Sequence, residues 1–351
     1  MLKKLKNTKT FTKITNWEFW PYQLVYFPVM IYYFLLAIKA KSITFFSAAN
    51  PGIEAGGLTG ESKIDILDKV PEKYKPLTVF VSEDTTKEEA IQLISDKGLQ
   101  LPFIAKPNVG ERGFLVKKVE KIEDLDEFFS GQRVDLLFQE YVAHPIELAI
   151  LYYRMPDSGE GRVTSVTKKK FLGVTGDGVS STEDLLKKSR RGRLQLKNLR
   201  EELGEELDEI LPKGQHKVLV EIGNHIRGTK FLNGNDIIDD HLHKVFEEIT
   251  NQLSGIYFCR YDLKCSSIED MKKGEGIKIM EVNGVSAEPA HIYDPDYNVI
   301  DAYKDLFMHM DIICDIACQN MKKGTNTMKF TDFVRLIRGV NDYKKTALTE
   351  N

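Results

Sequence analysis

The chain has 351 residues, 42% of them hydrophobic and 29% charged, so it can bury a sizeable core and is expected to form two or three subdomains. Its net charge of -3 gives no overall basic field, which argues against nucleic acid as its main partner. The four cysteines form no Cys-x-x-Cys pair, and we therefore expect reduced thiols and a cytoplasmic location.

Residues 1–45 form a basic, aromatic and hydrophobic N-terminal segment. Within it, residues 17–38 carry one charge, Glu18, and are long enough to cross a bilayer, with five lysines before them and two after. Pro21 and Pro28 are expected to interrupt the helix, and the aromatic content favours an interfacial or re-entrant segment. We expect attachment to the inner face of the cytoplasmic membrane. A hydrophobic hairpin packed on the soluble domain, or on a second subunit of a homodimer, is the alternative.

Residues 46–98 are interpreted as a linker and a partial N-terminal subdomain. The glycine-rich stretch up to Lys63 predicts a loop. From Thr78 the pattern predicts a strand and then a polar helix over 86–97.

A strand that ends in Lys106 follows, and the loop after it contains Gly110 and Gly113. Backbone N–H groups can approach an anion closely at such glycines. A lysine at this position can neutralise phosphate while the loop closes over it; a surface lysine at a turn is the plain alternative. The segment after the loop, residues 113–119, is expected to pair back as a β-hairpin.

Two further strands are expected around residues 259–265 and 279–283. Arg260 and Asp262 are two residues apart, as are Glu281 and Asn283, so each pair points to one face of its strand. Two carboxylates, an amide oxygen and a guanidinium group would then meet in one pocket. Oxygen ligands of this kind suit Mg²⁺ bridging phosphates better than zinc or iron. Asp262, Glu281 and Asn283 are therefore the predicted metal ligands.

The order of these parts resembles the ATP-grasp superfamily, above all its carboxylate-amine ligases. A lysine strand, a glycine loop, an acidic hinge, an Arg-x-Asp strand and a Glu-x-Asn strand follow one another over residues 63–319. D-alanine-D-alanine ligases, cyanophycin synthetases and the glutamate ligases that modify ribosomal protein have the same order. The resemblance implies an α+β fold in which two subdomains clasp ATP over residues 99–320, with a basic tail at 321–351.

The resemblance also implies nucleotide-binding residues. The segment Glu140, Tyr141 and Val142 would lie along the edge of the adenine. Glu147 would bind the ribose hydroxyls, since a carboxylate can accept hydrogen bonds from two hydroxyl groups. For Glu140 a salt bridge at a strand end is the alternative. Lys63 is the candidate to reach the α-phosphate.

A second group of residues is implied to act on the reacting groups. Asn224 and Arg227 match the Asn-x-x-Arg-Gly pattern of the ribosomal-protein glutamate ligases, so Asn224 would help to bind the cofactor and Arg227 would clamp a phosphate or a carboxylate. Arg260 would stabilise the transferred phosphoryl group or an oxyanion.

The implied activity is ligation of a carboxylate to an amine through an acylphosphate, with ATP and two Mg²⁺ ions, or Mn²⁺ in their place. Residues 285–289 depart from the turn of D-alanine-D-alanine ligases, which argues against D-alanine as the substrate. Because the part ahead of Lys63 is short and apolar, we expect it to rebuild the acceptor site for small-molecule, peptide or lipid-linked carboxylate and amine substrates. A small-molecule kinase and a non-catalytic nucleotide-binding membrane scaffold are the alternatives.

Overall fold

The computed structural model describes Trp17 and residues 20–110, 115–130, 134–220 and 228–346. The helices are α1 (Tyr22–Ala40), α2 (Lys63–Leu67), α3 (Lys87–Lys97), α4 (Asp126–Phe129), α5 (Thr182–Lys188), α6 (Arg190–Leu203), α7 (Asp240–Asn251), α8 (Ile268–Met271), α9 (Val299–Lys322) and α10 (Phe330–Thr346). The strands are β1 (Thr78–Val81), β2 (Phe103–Pro107), β3 (Lys117–Val119), β4 (Leu136–Glu140), β5 (Ile146–Arg154), β6 (Gly161–Lys170), β7 (Gly173–Thr175), β8 (His216–Val218), β9 (Lys230–Asn233), β10 (Phe258–Cys265) and β11 (Ile277–Asn283). The mixture of helices and antiparallel sheets confirms the predicted α+β class.

The smaller of the two main sheets has the strand order β1-β4-β2-β3. Its strands pair antiparallel, and β2 pairs with β3 as the predicted hairpin. Helix α3 begins with a capping box in which Thr86 and Glu89 exchange hydrogen bonds, a common start signal. Ala90 and Ile94 of that helix pack with Phe103 and other apolar residues of the sheet, so this subdomain has its own core.

The larger sheet has the order β11-β10-β5-β6-β9 and is antiparallel throughout. One face is covered by α7, whose Phe246 and Ile249 pack with Leu148, Ile150 and Tyr261 of the sheet. Because side chains alternate along a strand, the neighbouring residues Glu147, Ala149, Arg260 and Asp262 point to the opposite face. That second face forms the floor of the candidate site.

Helix α1 is continuous, which corrects the expectation that prolines would interrupt it. Pro21 precedes the first turn, where its missing N–H is not needed, and Pro28 lies inside the helix. Packing on α9 compensates for the hydrogen bond that Pro28 cannot make: Val25, Val29 and Leu36 are buried. In the part of this segment that the structure describes, a single helix followed by a buried connection replaces the hairpin of the alternative, but this helix does pack on the rest of the protein.

That connection, residues 43–58, contains two 3₁₀ turns and is largely buried, unlike an ordinary glycine-rich loop. Asn50 holds it in place. The Asn50 side-chain amide donates to the carbonyls of Gly56 and Phe258 at 3.0 and 2.7 Å, and its oxygen accepts from the N–H groups of Tyr257 and Phe258. The connection is thereby fastened to the start of β10.

Two peripheral parts complete the fold. A small sheet of β7 and β8 carries α5 and α6, and Asp177 accepts from the N–H groups of Val179 and Ser180 in the turn before α5. In the C-terminal region, α10 packs Phe333 against Phe46, with ring centroids 5.2 Å apart. Part of the predicted basic tail is therefore an ordered helix.

Candidate active site

The pairing of β10 with β11 places the predicted metal ligands together. Asp262 faces Glu281 and Arg260 faces Asn283 across the two strands, with a bulge directly after Asp262. Arg260 Nη2 and Asn283 Nδ2 both donate to Asp262 Oδ2, at 3.0 and 2.9 Å. The shared face that the two-residue spacing predicted is therefore present.

Lys169 of β6 joins this group, and the sequence reasoning missed it. Its Nζ lies 3.1 Å from Glu147 Oε1 and 3.1 Å from Asp262 Oδ1, and its side chain is 8% exposed. The only sequence signal was a run of three lysines, residues 168–170, in a strand. Alternation turns the middle lysine to the opposite face from its two neighbours.

The ion pairs fix the charges of this group. Burial alone would raise the pKa of Asp262, but Arg260 and Lys169 lower it to about 2. Burial alone would lower the pKa of Lys169, but Asp262 and Glu147 raise it above its usual value. Both residues are therefore charged at neutral pH.

Lys106, at the predicted position on β2, reaches across from the smaller sheet. Its Nζ donates to Gln139 Oε1 at 2.9 Å and to the carbonyl of Met280 at 3.2 Å. Burial lowers the pKa of Lys106 to about 8, a shift that the nearby Glu281 opposes and Lys63 assists. Lys106 thus bridges the two main sheets, which excludes the surface-lysine alternative. Gln139, its partner on β4, had no signal in the sequence.

Lys63 approaches the same region from the first turn of α2. Its Nζ donates to the carbonyl of Gly110 and lies 3.7 Å from Glu281 Oε1. Gly110 has φ of 145°, a backbone conformation that favours glycine. Lys63 therefore links the start of the glycine loop to Glu281 on β11. Gly113, Asn224 and Arg227 lie outside the described residues, so their predicted roles stay predictions.

The predicted hinge, residues 140–142, lines the same cavity. The carboxylate of Glu140 accepts from Leu77 N–H at 3.0 Å, which is a structural role at the strand end, with a backbone donor in place of the expected salt bridge. Lys118 and Lys264 lie over the ring of Tyr141, 4.8 and 5.1 Å from its centroid. Lys264 also donates to the carbonyl of Val142 at 3.0 Å, so the hinge backbone is held rigidly.

These residues line one cavity of about 1000 Å³, at the upper end of the range for ligand pockets. Its polar part includes Lys63, Lys106, Glu147, Lys169 and Arg260. Arg260 Nε is buried and has no hydrogen-bond partner within the described part of the chain. A buried donor of this kind is costly unless a ligand satisfies it, so an anion fits here.

The donor set also fits magnesium. Among the described residues, no group of three or more His, Cys, Asp or Glu side chains converges as a complete metal cage. Asp262 and Glu281 with the oxygen of Asn283 supply a partial set, which is how Mg²⁺ is usually held when water and substrate phosphates complete its shell.

Solved structures that resemble the chain include the VanG D-Ala:D-Ser ligase from Enterococcus faecalis, with 16% identity and a TM-score of 0.43 over 75% of this chain and 62% of that one. D-alanine--D-alanine ligase from Bacillus anthracis has 13% identity and a TM-score of 0.41 over 78% and 72% of the two chains. A bifunctional glutathione synthetase from Pasteurella multocida has 18% identity and a TM-score of 0.38 over 70% and 36%.

These neighbours are ATP-grasp carboxylate-amine ligases. The chain spans 36% of the length of the glutathione synthetase and 62% of VanG, less than two thirds in each case. No protein-family model and no curated protein matches the chain. At these identities and TM-scores the likeness concerns the fold, and the chemistry has to be argued from the residues of this chain.

Proposed function

We propose that the chain is an ATP-dependent ligase that joins a carboxylate to an amine. The observation that carries this proposal is the set of charges around one cavity: Lys106, Lys169 and Asp262 are buried, and Arg260 and Glu281 beside them are partly buried. Three cations concentrated within reach of two oxygen ligands suit a polyphosphate with its metal better than any uncharged ligand.

The nucleotide would lie between the two main sheets. Lys106, Lys63 and Lys169 would neutralise its phosphates. The backbone at Tyr141 and Val142 would lie along the edge of the adenine base. Lys169 engages one oxygen of Glu147, so the other oxygen is the acceptor proposed for the ribose hydroxyls. Asp262, Glu281 and Asn283 would hold Mg²⁺, which supplies charge neutralisation of the phosphates; Mn²⁺ would satisfy the same donors.

The residues of this chain would orient the groups that react. Arg260, with its unsatisfied Nε, would hold the carboxylate in line with the γ-phosphate. The bond between the γ-phosphorus and ADP breaks as a carboxylate oxygen bonds to that phosphorus, giving an acylphosphate. The amine nitrogen then attacks the carbonyl carbon, orthophosphate leaves, and the nitrogen loses a proton. Arg260 and Arg227 would stabilise the charge on the oxygens in both steps.

Trapping with hydroxylamine tests this reaction. The full chain is incubated with MgATP, hydroxylamine and a set of carboxylic acids, and hydroxamate and orthophosphate are measured together. The proposal expects equal amounts of both, because hydroxylamine intercepts an acylphosphate. Phosphate transfer to an added hydroxyl compound without hydroxamate would favour the kinase alternative, and ATP binding without any turnover would favour the scaffold.

We also propose that α1 attaches the protein to an anionic membrane surface from the cytoplasmic side. Its outer face exposes Leu24, Phe27, Ile31, Leu35 and Ile38, each more than half exposed. Only 22% of the most apolar 18-residue stretch of α1 is buried in the protein. The helix is long and apolar enough to cross a bilayer. Lysines flank this helix in the sequence, and each adds about 1 kcal/mol of attraction to anionic lipid.

A further inference from the structure

The cavity continues past the β10–β11 pair into an apolar half. Binding of a nucleotide does not require this half. This half is lined by α1 and α9 and lies beside the turn that follows β11. Its lining side chains are almost all apolar or aromatic, and include Val25, Val29 and Met30 of α1 together with Leu306, Met310 and Ile313 of α9.

The two helices are held together by fixed contacts. Tyr32 Oη donates to Asp311 Oδ1 at 2.7 Å, Lys39 Nζ lies 2.8 Å from Asp315 Oδ1, and Tyr303 Oη donates to the carbonyl of Val25 at 3.0 Å. These polar contacts join α1 and α9 along their length. The wall that the two helices form is therefore a fixed feature of the fold and does not depend on a ligand.

The junction of the two halves is polar and well defined. Arg260, with its buried and unsatisfied Nε, borders the nucleotide half. On the apolar side, Tyr293 Oη donates to Glu288 Oε2 at 2.5 Å and lies 3.5 Å from Tyr26 Oη, so these polar groups engage one another. A ligand with an anionic head at Arg260 and an apolar tail that extends past Tyr293 would match the polar and apolar halves of the cavity.

We propose that the carboxylate substrate carries a long apolar chain, which lies in the apolar half of the cavity, along the wall that α1 and α9 form together, with its carboxylate at Arg260. This proposal rests on the ligase function proposed above and names its substrate class. A short, polar acid such as an amino acid would leave the apolar half unfilled, whereas an unbranched chain of about ten or more carbons gains from burial there. Because the outer face of α1 is apolar as well, such a chain could reach the cavity from a lipid surface.

Chain-length dependence of binding is the direct test. The full chain is titrated by calorimetry, with Mg²⁺ and a non-hydrolysable ATP analogue present, with straight-chain carboxylates from butanoate to dodecanoate below their micelle concentrations. Affinity should rise about fourfold for each added methylene, the factor that corresponds to burying one CH₂ group. Dodecylamine should bind at least tenfold more weakly than dodecanoate, because its head is a cation beside Arg260.

Two variants reduce the volume of the apolar half, each from a different helix: Val29→Trp on α1 and Met310→Trp on α9. Each should weaken dodecanoate binding at least tenfold and leave binding of the ATP analogue unchanged, which also verifies folding. The matched control is Leu24→Trp, on the same helix but on the outer face, where Leu24 is 65% exposed. This control should leave dodecanoate binding unchanged.

The inference is overturned if affinity does not depend on chain length, or if dodecylamine binds as well as dodecanoate. It is also overturned if dodecanoate binds only after residues 1–16 are deleted, since the chain itself would then occupy the space. These failures are distinct from failure of the ligase function. Hydroxamate formed from short acids alone would retain the ligase and reject this substrate class, whereas length-dependent binding without hydroxamate from any acid would reject the ligase and retain a site for long-chain carboxylates.

Discussion

The two walls of the cavity are held in place by different forces. On the strand wall, Asp262 is engaged by Arg260, Lys169 and Asn283, and all of these groups are at least partly buried. On the helix wall, α1 is held by apolar packing on α9, with polar contacts at the edges. The strand wall should therefore respond to the removal of a single charge, and the helix wall to changes in volume and apolar surface.

The largest effect is expected from Asp262→Asn, which keeps the size of the side chain and removes its charge. Arg260 and Lys169 would then be buried without their anion, so stability should fall by about 3 kcal/mol and turnover by about a thousandfold. Urea unfolding and ATP turnover measure these effects. The control is Asp157→Asn, in an exposed pair with Lys323, which should cost less than about 1 kcal/mol. Equal effects of the two variants would contradict the account of the strand wall.

Next in size is the loss of one of the two arginines that are proposed to act on the reacting groups. Arg260→Gln or Arg227→Gln should lower turnover about a hundredfold and change nucleotide affinity much less, because the lost charge acts mainly during transfer. Steady-state kinetics and calorimetry separate the two quantities. Arg162→Gln, at an exposed position on β6, is the matched control and should have no effect. A variant that loses ATP binding but keeps its rate at saturation would reverse the assignment.

Asn50 tests how the two walls are joined. Asn50→Ala removes the amide that satisfies the backbone at Gly56, Tyr257 and Phe258, so the free energy of unfolding should fall by about 2 kcal/mol. Thermal and urea unfolding measure this change. Asn233→Ala, at an exposed position on β9, should change it by less than about 1 kcal/mol. An unchanged stability of the Asn50 variant would show that the connection is held by apolar packing alone.

The outer face of the helix wall should bind lipid. Ile31→Glu places a charge on that face and should weaken sedimentation with anionic vesicles by about tenfold. The control is Val179→Glu, at a site 79% exposed on the turn before α5, which should leave vesicle binding unchanged. Full-length protein that stays wholly soluble with such vesicles, or that covers this face as a homodimer in light scattering, would refute membrane attachment.

The smallest effect concerns pH. The pKa of Lys106 is about 8 in the folded protein, so its charge is progressively lost as pH rises through 8. If the charged form binds phosphate, MgATP affinity should fall about fourfold between pH 7 and pH 8.5, and this dependence should vanish in Lys106→Met.

The same group affects stability with a definite sign. The folded pKa lies below the ordinary value of 10.5, so between about pH 8 and pH 10.5 the unfolded chain binds more protons at this lysine. The Lys106 contribution to stability should therefore rise with pH in that window, measured against Lys106→Met. A flat difference between the two proteins would contradict the pKa assignment.

The strand wall was largely predictable from the sequence, because the two-residue period of a strand places Arg260 with Asp262, and Glu281 with Asn283, on one face of each strand. Lys169 was not, since a run of three lysines does not indicate which one faces inward until β6 is paired with β5. The role of Gln139 depends on Lys106 reaching across the sheet from another strand.

The helix wall depended on contacts distant in sequence. The pattern of α1 indicated an apolar segment, but whether Pro28 breaks the helix depends on packing against α9, which lies more than 250 residues further along the chain. The same holds for the apolar half of the cavity, which is lined by both of those helices. The glycine-rich sequence of the connection predicts a loop, because no local pattern indicates that Asn50 is buried and bonded to the start of β10.

Calorimetric titration of the full chain with a non-hydrolysable ATP analogue tests the central claim most directly. We predict one binding site in the presence of Mg²⁺, much weaker binding in EDTA, and loss of the Mg²⁺-dependent gain in the double variant Glu281→Gln with Asn283→Ala. Binding that is the same with and without Mg²⁺, or the same in the double variant as in the unmodified protein, would contradict a magnesium-nucleotide site on the β10–β11 pair.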